Sequence, residues 1–126
     1  VGALGDHAAT RVSPAHRVLL QGWRAQCLFG VDEALAPAAT LLNGTTGCRD
    51  GAEDVTYVHI LFDRHEVICA DGLWSESFHP RGVFNSTTAA TRDEIFELFP
   101  QFEVQKTWDA ARPTLSPADV AVFGGV

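Results

Sequence analysis

Residues Val55-Thr56-Tyr57-Val58-His59-Ile60-Leu61-Phe62 constrain this chain more than any other stretch, because seven of the eight are β-branched, aromatic or aliphatic and none is glycine or proline. Such side chains suit a pleated, half-buried surface, so the stretch predicts a central strand. Turn signals divide the next sixteen residues. Asp63-Arg64 marks a turn, His65 to Ala70 predicts the partner strand, Asp71-Gly72 a second turn, and Leu73 to Phe78 a last short strand. A chain built around this stretch is expected to be mainly β.

Upstream the pattern is again short strands cut by turns. His16 to Leu20 and Trp23 to Phe29 read as two strands joined at Gln21-Gly22, where glycine can take the positive φ of a hairpin. Val31 to Leu35 is a further short extended run. Pro37 to Leu42 predicts one or two turns of helix, starting at proline and stopping at Asn43-Gly44. Residues 44 to 54, with three glycines and three acids, read as a solvated loop. After the β-rich half the period changes. Ile95, Leu98 and Phe99 recur at helical spacing, with Thr87, Thr88 or Thr91 as cap and Pro100 as stop. From Gln101 onward Pro113 and Pro117 predict an irregular tail. No repeat or domain boundary interrupts the 126 residues, which read as one domain: a strand-rich core over 1 to 78, and a helix with a tail over 79 to 126.

A formal charge of −7 argues against a surface that collects phosphates, so nucleic acid is not expected as a partner. No apolar run is long enough to cross a bilayer, so no membrane partner is expected either. Cys27, Cys48 and Cys69 are odd in number and form no CxxC pair, which predicts small buried hydrophobes rather than a disulfide framework or a zinc knuckle. The chain opens on Val1 and contains no Met. It therefore reads as a piece of a longer protein, and its first residues do not have the basic head and apolar run of a signal peptide. Asn85-Ser86-Thr87 fits a glycosylation sequon, a match too common to carry weight.

Three stretches, in order, resemble the self-cleaving Hedgehog/intein (Hint) domain. Ser13-Pro14-Ala15-His16 is similar to its Thr-x-x-His block, with Ser in place of Thr. Ala34 to Gly44 resembles the segment that presents a helical turn before a glycine. Tyr57 to Ser77 resembles the C-terminal hairpin of the fold, with Asp63 and His65 near the turn where inteins place functional acid and histidine residues. The wording of Leu28-Phe29-Gly30-Val31-Asp32-Glu33 and Phe62-Asp63-Arg64-His65-Glu66 is close to a bacterial subfamily, a resemblance that allows a secreted bacterial parent and leaves localisation open. The resemblance covers residues 11 to 78; residues 79 to 126 resemble that subfamily only. It implies a mainly β, Hint-like fold of short strands and hairpins with a short C-terminal α-helix.

The resemblance also implies a chemistry. In this family a cysteine thiol attacks the carbonyl just before it, and a histidine, with an unperturbed pKa near 6.5, protonates the leaving amide nitrogen. His16 would take that role and the Ser13 hydroxyl would hold the scissile amide. His65 or Asp63 would activate water against the thioester. Where inteins end His-Asn, this hairpin ends Glu76-Ser77, so no side-chain amide can cyclise, and hydrolysis rather than splicing is expected. The nucleophilic cysteine begins the domain in this family, and no cysteine here precedes Ser13. The chain is thus expected to act as the C-terminal portion, inactive alone, whose partner is its own N-terminal region, a separate chain supplying it, or a second copy as a homodimer. No cofactor is implied.

Simpler readings stand beside these. Ser13-Pro14 followed by two residues is also a common capping turn. His59, Asp63, His65 and Cys69 share one parity, which would suggest a metal site in an unbroken strand, but the turn at Asp63-Arg64 scrambles that parity and no HExxH spacing supports it. His7 and His79 read as solvated, and Asp93, Glu94 and Glu97 as an exposed helix face. The alternative to autoprocessing is a non-catalytic module that binds a partner by strand addition along Val18 to Leu20 or Tyr57 to Phe62.

Overall fold

The computed structural model describes residues 4–51, 54–79, 88–104 and 109–123. Its centre is strand β1 (Arg17–Gln21). Val18, Leu19 and Leu20 are consecutive and all buried, a pattern that requires cover on both faces of a sheet. β1 pairs antiparallel with β2 (Glu33–Pro37) along its whole length, Arg17 opposite Pro37 and Gln21 opposite Glu33. On its other side Val18 lies opposite Ser75 of β4 (Leu73–Glu76), which pairs with β3 (Val67–Ala70). The order is β2-β1-β4-β3, all antiparallel. Val18 to Leu20 is therefore interior and not the open edge expected from sequence.

The β3–β4 hairpin obeys its turn residues. Asp71 and Gly72 both take positive φ, 53° and 81°, the conformation a tight two-residue hairpin demands. A side chain at Gly72 would meet the Asp6 carbonyl, because the N-terminal segment crosses this turn and Ala8 N–H donates to the Asp71 carbonyl at 3.1 Å.

Three expectations are corrected. Trp23–Phe29 is a helix, α1, and not the second arm of a hairpin. Gly22 starts it, Gly30 ends it in the left-handed region at φ 68° while donating to the Gln26 carbonyl, and Ala25 and Phe29, one turn apart, face the core. Trp23 and Leu28 are left exposed. Second, Val55 to Phe62 is not in a strand at all. β4 is the partner of β3, and among the described residues the long stretch is tied down by one backbone bond, Phe78 N–H to the Ile60 carbonyl. Propensity prepares a segment for a sheet surface without supplying an edge to pair with. Third, Cys27, Cys48 and Cys69 are free and exposed, not buried.

Ala38–Leu41 forms the expected short helix as one 3-10 turn. Helix α2 (Ala89–Leu98) is capped by Thr88, whose side chain accepts from Thr91 N–H; Leu98 points to solvent instead of inward. Asn85 to Thr87, the sequon, lies outside the described residues. The tail is more ordered than predicted. It carries α3 (Gln101–Val104) and α4 (Pro117–Phe123), and Ser116 and Asp119 exchange hydrogen bonds as a capping box at the start of α4. The carboxyl of Asp119 is held below its ordinary range by the Ser116 N–H and then by its hydroxyl. Leu115, Val120 and Phe123 pack with Leu20, Ala25, Ala34 and Ala36 in one core. Phe123 stacks on Phe29 at 6.4 Å and lies under the Arg24 guanidinium. Before α4, Leu35 N–H donates to the Pro113 carbonyl and Leu115 N–H to the Leu35 carbonyl, so the tail covers the outer edge of β2.

Candidate functional site

Ser13-Pro14-Ala15-His16 forms a turn closed by His16 N–H donating to the Ser13 carbonyl at 3.1 Å. It opens into β1 and not into a helix, so Ser13 caps nothing. The 3-10 turn grips it from the side: Ala39 N–H donates to the Pro14 carbonyl at 3.0 Å and Ala38 N–H to the His16 carbonyl at 2.8 Å. His16 is thereby fixed where β1 begins. Its imidazole is half-buried, and its pKa lies below the ordinary 6.5. Burial is the main cause, offset in part by the Glu76 carboxylate and reinforced by His59.

Glu76, at the end of β4, is the hub of this corner. Its Oε1 accepts the Arg17 backbone N–H at 3.1 Å, immediately after His16. Its Oε2 lies 2.9 Å from His65 Nε2 and 3.8 Å from Arg17 Nη1. Burial pushes the carboxyl up, but the hydrogen bond from His65, the Arg17 guanidinium and the Arg17 N–H outweigh it, so the group stays ionised below the ordinary 4.5.

The His65 side chain is fully buried, and its two neighbours decide its chemistry. Ala111 N–H donates to Nδ1 at 2.8 Å. Nδ1 is then an acceptor without a proton, so the proton of the neutral ring sits on Nε2 and is donated to Glu76. Both ring nitrogens are engaged. The expectation that His65 activates water therefore meets a histidine locked between a carboxylate and the tail. Its ring lies 4.8 Å from that of His79, and the His59 ring lies 4.8 Å from that of Phe78. Four of the chain's five histidines thus gather near the Glu76 corner.

Asp63 is exposed in the bend before His65, and the groups whose charge acts on His16 are Glu76 and His59. Ser77 is buried; its hydroxyl accepts Glu66 N–H at 2.9 Å and its own N–H donates to the Glu66 carbonyl. A cleft of about 340 Å³ lies beside the turn, with Val12, Pro14, Val18, Ala39, Tyr57 and Leu73 in its wall. Among the described residues no three metal-ligating side chains converge, and no helix is long and apolar enough to cross a membrane.

Sequence reasoning missed Glu76. Strand alternation puts it on the side of the exposed Trp74, whereas its partners, the His65 ring and Arg17, reach it from elsewhere in the chain.

These two titratable groups predict how stability responds to acid. The fold keeps His16 neutral at a pH where the unfolded chain takes up a proton, so stability falls as pH drops below about 6.5, until the folded group also titrates. It keeps Glu76 ionised where the unfolded chain is protonated, so a second decline starts near pH 4.5 and continues down to the folded pKa. Urea midpoints measured from pH 8 to pH 3 should show the upper decline shrink in His16→Gln and the lower one in Glu76→Gln. Superimposable curves for the variants and the parent would refute this account.

No curated protein and no solved structure matches the chain. Residues 1–82, well over half of its length, match the Hint domain family. With the turn at His16 and the antiparallel strand core within that match, the chain belongs to the Hint domain family, a family of autoprocessing type.

Proposed function

We propose that this chain supplies the acid–base part of an autoprocessing site that cleaves its parent protein through a thioester, without splicing. The observation that carries the reading is the fixed, half-buried His16, neutral at physiological pH and placed at the mouth of β1 by the Ser13 turn and the Glu76 carboxylate. A neutral imidazole can take the proton of an attacking thiol as the thiolate adds to the preceding carbonyl. It then returns that proton to the amide nitrogen as the C–N bond breaks. The products are a thioester and a free amine. Water adds to the thioester carbonyl, and collapse gives a carboxylic acid and regenerates the thiol. The Ser13 hydroxyl, which has no hydrogen-bond partner among the described residues, is available to hold the scissile amide.

His65 acts as a positioning residue in this scheme: with Glu76 it holds the backbone after His16. Asp63 remains, by exposure, the group that could meet solvent water. The nucleophile comes from a cysteine ahead of Ser13, since Cys27, Cys48 and Cys69 all lie beyond the histidine turn.

The test compares the 126 residues with a version extended upstream to a first cysteine. Intact-mass measurement should show the 126-residue chain unchanged in dithiothreitol or hydroxylamine, and the extended chain cut at the peptide bond before that cysteine, faster with either thioester-cleaving reagent. Cleavage at Cys27, Cys48 or Cys69, or an inert extended chain, would overturn the proposal.

A further inference from the structure

Val55 to Phe62 has the strongest strand composition in the chain, yet among the described residues its one backbone link is the Phe78 N–H to Ile60 carbonyl bond. Its large apolar side chains are open to solvent, Val58 at 86% exposure and Ile60 at 52%. The chain carries a net −7, but no formal charge falls between Val55 and Phe62. The stretch itself therefore adds no charge repulsion between copies.

We propose that this stretch pairs antiparallel with the same stretch of a second copy, about a two-fold axis through His59. Pairing draws it into a strand, in which the N–H and C=O of one residue point to the same side and successive residues alternate. Ile60 faces Phe78, so Tyr57, His59 and Leu61 turn their backbone groups outward. A symmetric ladder must join these outward residues to one another. Centred on His59, it sets Tyr57 opposite Leu61, Val58 opposite Ile60 and Thr56 opposite Phe62, the aromatic and aliphatic cross-strand pairs that stabilise sheets. It also brings Asp54 toward Arg64, in the bend just past the stretch, at both ends. Centring on Ile60 instead places Asp54 against Glu66, and centring on Val58 places it against Phe62. Charge therefore selects the His59 register. The present partner of Arg64 is Glu66, at 3.6 Å and well exposed, an arrangement that holds it weakly. The pairing closes an exposed β-prone segment by isologous contact, as two-fold dimers do.

Sedimentation velocity across a concentration series should show the 126-residue chain as a dimer. Val58→Lys should be a monomer with an unchanged circular dichroism spectrum, since Val58 touches little of its own chain. Arg64→Asp should weaken dimerisation roughly tenfold, and Asp54→Arg combined with Arg64→Asp should restore it. A wild-type monomer overturns the proposal, even one that takes up some other peptide, and so does a dimer indifferent to Val58→Lys. Failure of the charge exchange to restore affinity overturns the register.

Discussion

Glu76→Ala is expected to destabilise the chain by about 2–4 kcal/mol, a large share of the roughly 5–15 kcal/mol that holds a domain of this size together. The carboxylate accepts from two separate donors, the Arg17 backbone N–H and the buried His65 ring. Truncation leaves both without an acceptor in a place water enters poorly, and each orphaned donor costs about 1–3 kcal/mol. Glu76→Gln should cost less, because the amide oxygen still satisfies one donor while its NH₂ opposes the other. Glu66→Ala, which removes only an exposed partner of Arg64, should stay within about 0.5 kcal/mol. Urea denaturation at pH 7 separates the three. A loss below about 1 kcal/mol for Glu76→Ala would mean that the corner relaxes around the missing carboxylate and that Glu76 is no hub.

Local chemistry was legible in the sequence wherever it decided the outcome alone. Asp71-Gly72 has to turn, and one of Thr87, Thr88 and Thr91 has to cap the helix that follows, a part Thr88 takes. Trp23–Phe29 went the other way because its strand-like composition conceals a helical pair, Ala25 and Phe29, whose partners Val120 and Phe123 lie far along the chain. Val55 to Phe62 shows the same limit from the other side. Its residues suit a sheet, but β3, the strand expected to pair with it, pairs with β4 instead.

The tail was the least legible part, although its clearest signal was in plain view. Ser116-Pro117-Ala118-Asp119 has the same opening as Ser13-Pro14-Ala15-His16, and only the first of the two starts a helix. The difference lies in the fourth residue. Asp119 reaches back to the Ser116 N–H, whereas His16 cannot, and continues into the β-branched and leucine run of β1. The proline pair that suggested irregularity instead marks a helix start at Pro117 and a bridge to β2 at Pro113. The same crossing brings Ala111 to His65, so the tautomer of the histidine depends on a segment 46 residues away that no local pattern connects to it. Ser13 and His16 stood out by their resemblance to the family's Thr-x-x-His block, since the turn alone reads equally as a capping turn. Glu76 did not, because what buries it is tertiary.

In a chain extended upstream to its first cysteine, His16→Ala is expected to slow cleavage by roughly a hundredfold or more, the usual cost of removing a placed acid or base. His59→Ala and His79→Ala should cost far less, since neither lies in the Ser13–His16 turn. Ser13→Ala removes one hydroxyl hydrogen bond, about 0.5–1.5 kcal/mol net, and should slow the reaction several-fold. A purely structural role for His16 would predict another pattern, namely loss of rate only in parallel with loss of fold. Two readouts distinguish them. Circular dichroism should leave His16→Ala folded, and Glu76→Gln should move the pH dependence of the rate. The Glu76 carboxylate raises the pKa of His16 against the stronger lowering by burial, so neutralising it should carry the histidine-dependent limb of the profile to lower pH. A limb that stays in place in Glu76→Gln, or a His16→Ala chain that cleaves at the parent's rate, would take the proton-transfer role away from His16.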